Sequence, residues 1–448
     1  MLVSRTVVPT LTAAALTGCV PYHPRALSPE RSAKAFTSRS LTSAEARGAL
    51  ERSGRHYAWL PASWDFQRLT AVAWRMHPDV AVARAQFETA RAAIRTAGER
   101  PNPTVSLSPQ FAAPLRWLLG TYGVDFDIPI ETGGKRASRI ALAREQAAAA
   151  GFHVVETSWQ VRGRLRKAML ALSAASQRES LLKNAVGSQE QVINLMEQRV
   201  AAGEAARPDF VQSRLLLNQL RLQLADASRQ KAEARAGVGE ALGMSVSALD
   251  GVTITFSEFE RVPAVSGLAT ARRDALLHRA DVLVALADYA ASEATLRSEV
   301  AKQYPDIHLG PGYVWDAGVN KWTVGLGFTL PIFNQNRGAI AEAEVKRREA
   351  AAKFTAVQAR VVAETERALA AERGARAKVA TATEMLAAQD KQLQSAQALA
   401  RGGETDRLSV ASAQLERDSA AIAQIDAVAE LHTALGQLED AVQTPLIR

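Results

Sequence analysis

The sequence predicts a mainly α-helical protein with a membrane β element, arranged as two tandem repeats. Three observations predict this class. A strand-then-helix pattern, TYGVDFDIPIETGGKR from Thr121 to Arg136, returns as TVGLGFTLPIFNQNRG from Thr323 to Gly338. Pro331 lies 202 positions after Pro129, Pro305 lies 202 after Pro103, and Asp281 lies 202 after Asp79, so the chain carries an ungapped internal duplication. Each copy also holds a very long proline-free stretch with three- and four-residue apolar steps, and each holds two short segments that alternate large apolar with small or polar residues.

Composition agrees with long helices. Alanine, arginine, glutamate and leucine dominate, and aromatics are only 6% of the 448 residues, which favours coiled coils over compact cores. The formal charge of +8 raises the question of nucleic acid. The arginines are spread between glutamates along helical faces, however, with no basic block interleaved with aromatics, so no nucleic-acid partner is expected.

Residues 1–18 read as a secretory signal: Arg5 precedes the apolar run VVPTLTAAALTGC, which is too short to span a membrane. Leu16-Thr17-Gly18-Cys19 resembles a bacterial lipobox, which implies cleavage before Cys19 and a lipid on its thiol; Val20 after the cysteine resembles outer-membrane sorting. That covalent lipid is the only non-protein group expected. With no second cysteine there is no disulfide. Residues 19–64 form a Pro/Ser/Arg-rich arm, pinned to the body by Tyr57, Trp59 and Trp64.

Repeat one occupies 65–250. A helix from about Phe66 to Gly98 stops at Arg100-Pro101-Asn102-Pro103, strands follow at 104–111 and 121–128, and Pro129 marks a strand-to-helix corner. A long helix spans 135–201, Gly203 and Pro208 turn the chain, and a return helix spans 209–242. A linker at 251–266 contains the strand-like run Thr253-Ile254-Thr255-Phe256. Repeat two, 267–448, has a helix, strands at 306–314 and 322–330, a corner at Pro331, a long helix at 337–401 and a return helix at 409–442. A helix of this length reaches ~100 Å, and the two shorter helices of a repeat, stacked end to end, match it. The linker then forms a belt halfway along a tube of helices.

In the strand at 121–128, Tyr122, Val124, Phe126 and Ile128 face one way and Gly123, Asp125 and Asp127 the other. Strands of ~9–11 residues suit a tilted barrel span with an apolar lipid face and a wet lumen. Four strands cannot close a barrel, because the smallest have ~8. A dimer would supply eight strands and a trimer twelve. Asp125 and Asp127 are the candidate lumen residues, and several copies of them would form a cation-favouring ring. Trp117 and Trp322 are candidate interfacial anchors.

The corners DIPIETGGKRASRI and TLPIFNQNRGAI, the proline stops before the strands, the hairpin tips VAAGEAARPDFVQSR and ARGGETDRLSVASAQ, and Ala-Leu-Gly at 241–243 together resemble the TolC family of outer-membrane efflux channels. The wording ETGGKR with the lipobox is most similar to the heavy-metal, CzcC-like, lipoprotein branch. The resemblance covers nearly the whole chain after residue 65. It implies a homotrimer with a twelve-stranded barrel in outer-membrane lipid and an α-helical tunnel through the periplasm. It also implies a passive exit duct that joins a periplasmic adaptor protein and an inner-membrane pump of the RND type, with heavy-metal cations or drugs as cargo. The tips near Gly203 and Gly403 would then be closed by polar links. Asp209 matches an acidic position of that network, although a helix-start role is its other reading. Repeat two has Ser409 and Ser412 where the family carries aspartates, and Glu404, Asp406 and Arg407 are its candidate links. A periplasmic coiled-coil scaffold or adaptor without a pore is the rival class.

Other chemistry finds no support in the sequence. Gly133-Gly134-Lys135 has the setting of a phosphate loop, but Pro129 and Arg136 stand where that loop needs glycine and Ser/Thr. The seven histidines form no metal-ligand spacing, and no nucleophile can be matched to a base. We therefore expect no enzyme. Pro129 and Pro331 read as geometric joints rather than binding residues, with proline ending strand pairing because it lacks an N–H.

Overall fold

The computed structural model describes residues 21–52, 63–110, 120–260, 262–263, 267–316 and 318–446. Cys19, the signal segment, Tyr57, Trp59 and Trp117 lie outside these described residues. The arm carries α1 (Pro29–Thr37) and α2 (Ala44–Arg52). Repeat one follows as α3 (Phe66–Met76), α4 (Pro78–Ala97), β1 (Thr104–Gln110), β2 (Thr121–Ile130), α5 (Lys135–Ala201) and α6 (Arg207–Leu242). Repeat two follows as α7 (Leu268–His278), α8 (Ala280–Ala301), β3 (Ile307–Asp316), β4 (Val319–Phe328), α9 (Arg337–Gly402) and α10 (Arg407–Val442). No helix among the described residues is long and apolar enough to cross a membrane.

The four strands form one antiparallel sheet in the order β1-β2-β3-β4. Its register sorts the side chains cleanly, because residues opposite each other share a face. Pairs Ser106↔Asp125, Asp125↔Gly312 and Gly312↔Thr323 gather small and polar residues on one face. Pairs Leu107↔Val124, Val124↔Tyr313 and Tyr313↔Trp322 gather large apolar residues on the other. That apolar face is bare: Trp322 is 81% exposed, Val324 78% and Leu107 72%. Stacked pairs Tyr122–Trp315 and Tyr313–Trp322, at 5.7 and 5.0 Å between ring centres, stiffen it.

Three strands differ in their bounds from the sequence reading; β3, expected at 306–314, runs from Ile307 to Asp316 because its hairpin with β4 stays paired to the turn. β2 continues through Pro129, which pairs with His308, instead of stopping there. β1 has already ended opposite Asp127, so β2 is an edge on that side and tolerates a missing N–H. β4 begins at Val319 rather than 322 and ends at Phe328, before Pro331. Asp316 pairs with Val319, leaving a tight turn in which Gly318 has φ +97°, so pairing extends to the very end of the hairpin.

The long helices α5 and α9, of 67 and 66 residues, each span ~100 Å. Near the sheet α5 packs between α4 and α8, and α8 packs on α9; farther away α5 packs between α6 and α10, and α10 packs on α9. Thus α4 meets α6 end to end, and α8 meets α10. Much of the seam is alanine, such as Ala143, Ala147, Ala368, Ala375 and Ala382, which lets the helices approach closely.

The segment expected as one helix from Phe66 to Gly98 is two. Helix α3 ends at Met76, and His77 is extended at ψ 130° because Pro78 disfavours a helical residue before it. The freed α3 turns into a belt whose core joins Trp64, Phe66, Leu69, Leu165, Leu249 and Phe259. The strand-like run at Thr253 is a single parallel bridge to Trp64, with Trp64 N donating to Thr253 O at 2.8 Å. Repeat two breaks at Arg279 without any proline. There Nε and Nη2 of Arg279 bind Asp281 at 2.8 and 2.7 Å, while Nη1 donates to Glu364 and to the Ala441 carbonyl, both at 2.8 Å. Gly243 and Gln443, both left-handed, end α6 and α10 at these joints.

Candidate functional site

Four places along the molecule carry polar chemistry: the sheet's polar face, the corners beneath it, the belt and the helical tips. On the sheet, Asp125 and Asp127 both lie on the small, polar face. His308 joins them, its Nδ1 at 2.9 Å from Asp127 Oδ1. Asp125 sits over Gly312, where a Cβ would stand 2.3 Å from Oδ1, so the glycine makes room for the carboxylate. His308 follows from the alternation of β3; the register sets it opposite Pro129, with Asp127 two residues away along β2 as its diagonal neighbour on the same face. Among the described residues no group of three or more His, Cys, Asp or Glu forms a metal-binding cluster.

At the first corner Lys135 Nζ reaches Asp306 Oδ1 at 2.8 Å, and the Thr132 N–H donates to the same oxygen at 3.0 Å. Arg139 holds Glu131, and Arg136 Nε donates to the Gly98 carbonyl at 2.7 Å. Gly133, at φ +63°, passes so close to α8 that a Cβ would stand 2.8 Å from the Ala301 carbonyl oxygen. Gly133 and Lys135 thus clamp the two repeats together, while Arg136 and Arg139 brace the corner within repeat one. At the second corner Asn336, at φ 58°, donates from Nδ2 to the Glu299 carbonyl at 2.8 Å. Pro331 lies between β4 and α9, outside the ladder.

The belt height holds a charge cluster that sequence reasoning missed. Glu439 of α10 is 0% exposed; its Oε2 accepts from Arg162 at 2.8 Å and Arg166 at 2.5 Å, and its Oε1 accepts from Leu446 N at 2.9 Å. Burial alone would raise its pKa, but Arg166 and Arg162 overcome that and hold it below the usual range. The neighbouring Asp440 behaves oppositely. Asp440 keeps an exposed rim, but the protein packed around it, with Glu439 adding to the effect, pushes it up to about 6 against the pull of Arg162 and Arg166. Asp440 lines a groove of about 560 Å³ between α5 and α10, opposite Gly163.

A group with a raised folded pKa binds its proton more tightly in the fold, so Asp440 favours the fold as pH falls through about 6. At higher pH its charge opposes folding. Asp440→Asn is therefore expected to raise the melting temperature above pH 6, with the gain vanishing near pH 4. Melting curves across that range check it; an equal shift at every pH would show that the charge is not the cause.

At the tips Gly203 and Gly403 have φ of +75° and +76°, which turns the chain out of α5 and α9 at little cost. Asp406 caps α10, accepting from Ser409 N at 2.9 Å, and also takes Nη1 of Arg199 at 2.9 Å. The Ser409 amide and the Arg199 guanidinium hold its carboxyl below the usual range. The pair ties the end of α5 to the start of α10, and so one repeat to the other. Arg199 was missed by sequence reasoning, although a basic residue in the last turn of α5 was the available cue. Arg407 lines a groove of about 910 Å³ with Gln198, Gln397 and Arg401. Asp209 is exposed in the first turn of α6, whose cap position is Ala206. Glu404 is exposed, its N–H closing the turn on the Leu399 carbonyl at 3.0 Å.

Comparison with known proteins gives a consistent outcome. The sequence model of the family described as outer membrane efflux protein matches residues 72–244 and 271–442, one segment in each repeat. The cobalt-zinc-cadmium resistance protein CzcC of Cupriavidus metallidurans is 23% identical over 267 residues, 59% of this chain and 62% of CzcC. Outer membrane protein OprJ of Pseudomonas aeruginosa is 25% identical over 297 residues, 62% of this chain and 61% of OprJ. Each match thus spans less than two thirds of the relative's length. Among solved structures, VceC of Vibrio cholerae superposes with TM-score 0.69 at 18% identity, over 85% of this chain and 96% of VceC. CusC gives TM-score 0.69 at 16% identity, over 95% of this chain and 99% of CusC. These likenesses establish a TolC-like fold. With both repeats matched and the architecture shared, the chain belongs to the outer membrane efflux protein family.

Proposed function

We propose that three copies of this chain close their sheets into a twelve-stranded outer-membrane barrel standing on a periplasmic α-helical tunnel. The observation that carries this reading is the sheet itself. It is bare and apolar on one face, small and polar on the other, and among the described residues its end strands β1 and β4 are paired on one side only. Such edges and such a face need partners: neighbouring strands for the first, lipid for the second. The channel is a passive exit duct, loaded through a periplasmic adaptor by an inner-membrane pump of the RND type. Likeness to CzcC supports heavy-metal cations as cargo, with drugs as the other class. Cys19 carries the lipid that adds an anchor. Asp125 and Asp127 line the lumen, and Gly203, Asp209, Gly403, Glu404, Asp406 and Arg407 belong to the periplasmic tip.

Two measurements test this. The unheated protein should run as an SDS-resistant trimer and stay in the membrane pellet through carbonate washing; release by carbonate would favour the pore-less scaffold instead. In planar bilayers under a salt gradient, the channel should prefer cations, and Asp125→Asn with Asp127→Asn should move its reversal potential toward zero. An unmoved potential would remove these carboxylates from selectivity.

A further inference from the structure

We propose that the Asp127–His308 pair on the polar face of the sheet is a passing site for a divalent transition-metal cation of the zinc type, with Nε2 of His308 as its ligand. That role rests on the lumen reading above and narrows its cargo to one chemical class. Both carboxylate oxygens of Asp127 face Nδ1 of His308, at 2.9 and 3.1 Å. A carboxylate only accepts, so the imidazole proton stands on Nδ1 and the lone pair on Nε2. The register sets His308 opposite Pro129 on β2 and Gly327 on β4, and neither side chain has a donor to occupy that lone pair. The ring is 45% exposed, and a ligand can reach it from the polar side.

The fold does not require this pair. By the offset of 202 positions, His308 corresponds to Ser106 and Asp127 to Thr329. The other copy thus fills the same places with small hydroxyl residues, which is all that a wet strand face needs. The pair takes one residue from each repeat and exists only where β2 meets β3, once in each chain. Charge along the face suits a cation at this level. Lys321 holds Asp316 at 2.7 Å toward the hairpin, and Lys135 holds Asp306 at 2.8 Å toward the corner. Between them lie Asp125 and Asp127, which have no lysine or arginine partner among the described residues.

The imidazole decides which cation is favoured. Carboxylates alone suit magnesium or calcium, whereas an imidazole nitrogen suits zinc, copper or nickel. The carboxylate behind the ring orients it and makes Nε2 more basic, as the outer-shell partners of metal-bound histidines do. Among the described residues no third ligand completes a closed cluster. One nitrogen per chain, with water filling the rest of the shell, holds a cation weakly, and a conducting pore must release what it takes up.

The test uses the full-length protein in planar bilayers under a potassium chloride gradient. Zinc chloride or magnesium chloride is added in steps and the reversal potential is read at each. A divalent cation bound beside Asp127 offsets its charge and moves that potential toward zero. We expect zinc to halve the cation preference at a concentration about tenfold or more below that of magnesium. His308→Gln should remove this difference. Asp127→Asn, read against its own zinc-free potential, should weaken the zinc effect about 10- to 100-fold. An SDS-resistant trimer band confirms that each variant has assembled. Zinc and magnesium acting alike on a conducting, cation-preferring parent overturns the metal site and leaves the channel standing. A zinc advantage that survives His308→Gln also overturns it, by placing the metal elsewhere. A parent with no channel current, or with no cation preference, would sink the lumen reading together with this one.

Discussion

Glu439→Ala is expected to cost about 3–5 kcal/mol, because it strands two arginine side chains in the packed belt without their counter-charge. Arg162 is 9% exposed and Arg166 6%, and both converge on one carboxylate oxygen. The loss would be read as a melting temperature lowered by several degrees, and as earlier dissociation of the assembly on heating in SDS. Glu439→Gln should lose less, since the amide oxygen still accepts one guanidinium. Adding Arg166→Met to Glu439→Ala should recover part of the loss, because it removes a stranded charge and keeps the volume. If Glu439→Ala melted with the parent, the cluster would hold nothing together.

Arg199→Ala is expected to raise the closed-state conductance of the channel. The Arg199–Asp406 pair joins the two repeats at the tip, and both side chains are partly exposed, so each pair contributes only ~0.5–1 kcal/mol. Three copies opening together would sum to ~1.5–3 kcal/mol, which shifts the open fraction roughly 10- to 100-fold. Asp406→Ala should act in the same direction but also lose a helix cap of ~1 kcal/mol, so the arginine variant is the cleaner probe. Asp406 has a lowered pKa, and its contribution is therefore present at neutral pH and fades only as pH falls through that lowered value. An unchanged closed state in Arg199→Ala would free this pair from any part in gating. Asp209→Ala and Arg407→Ala then test the remaining tip candidates.

Much of this architecture was legible in the sequence because its causes are local and periodic. The offset of 202 positions tied the repeats together, and alternation in Tyr122, Val124, Phe126 and Ile128 set one sheet face before any pairing was known. Helix lengths followed from the absence of proline between Lys135 and Ala201. What escaped was decided by contacts between distant residues. The break at Pro78 was readable in principle from the proline. Its counterpart at Arg279 was not, because Glu364 and the Ala441 carbonyl set it from far along the chain. Lys135 looked like the residue of a failed phosphate loop until Asp306 stood beside it. Glu439 was invisible for the same reason: the acidic pair Glu439-Asp440 near the end of a helix reads as solvent-facing, and the arginines that bury Glu439 lie 277 and 273 residues earlier. The site candidates at the tip were found by likeness, whereas Arg199, the partner of Asp406, needed the fold.

The two end-to-end joints have a mechanical meaning. At belt height only α5 and α9 run through without interruption, while the other two rows of helices are butted together at Gly243 and Gln443. A rod fails to stay straight where the fewest continuous fibres cross it, so a sideways load on the tips would flex the tube at this level rather than spread upward. The belt core around Trp64, Phe66, Leu165 and Phe259 splints that level. The sheet above is thereby insulated from movement below, and the tips can swing without straining its strands.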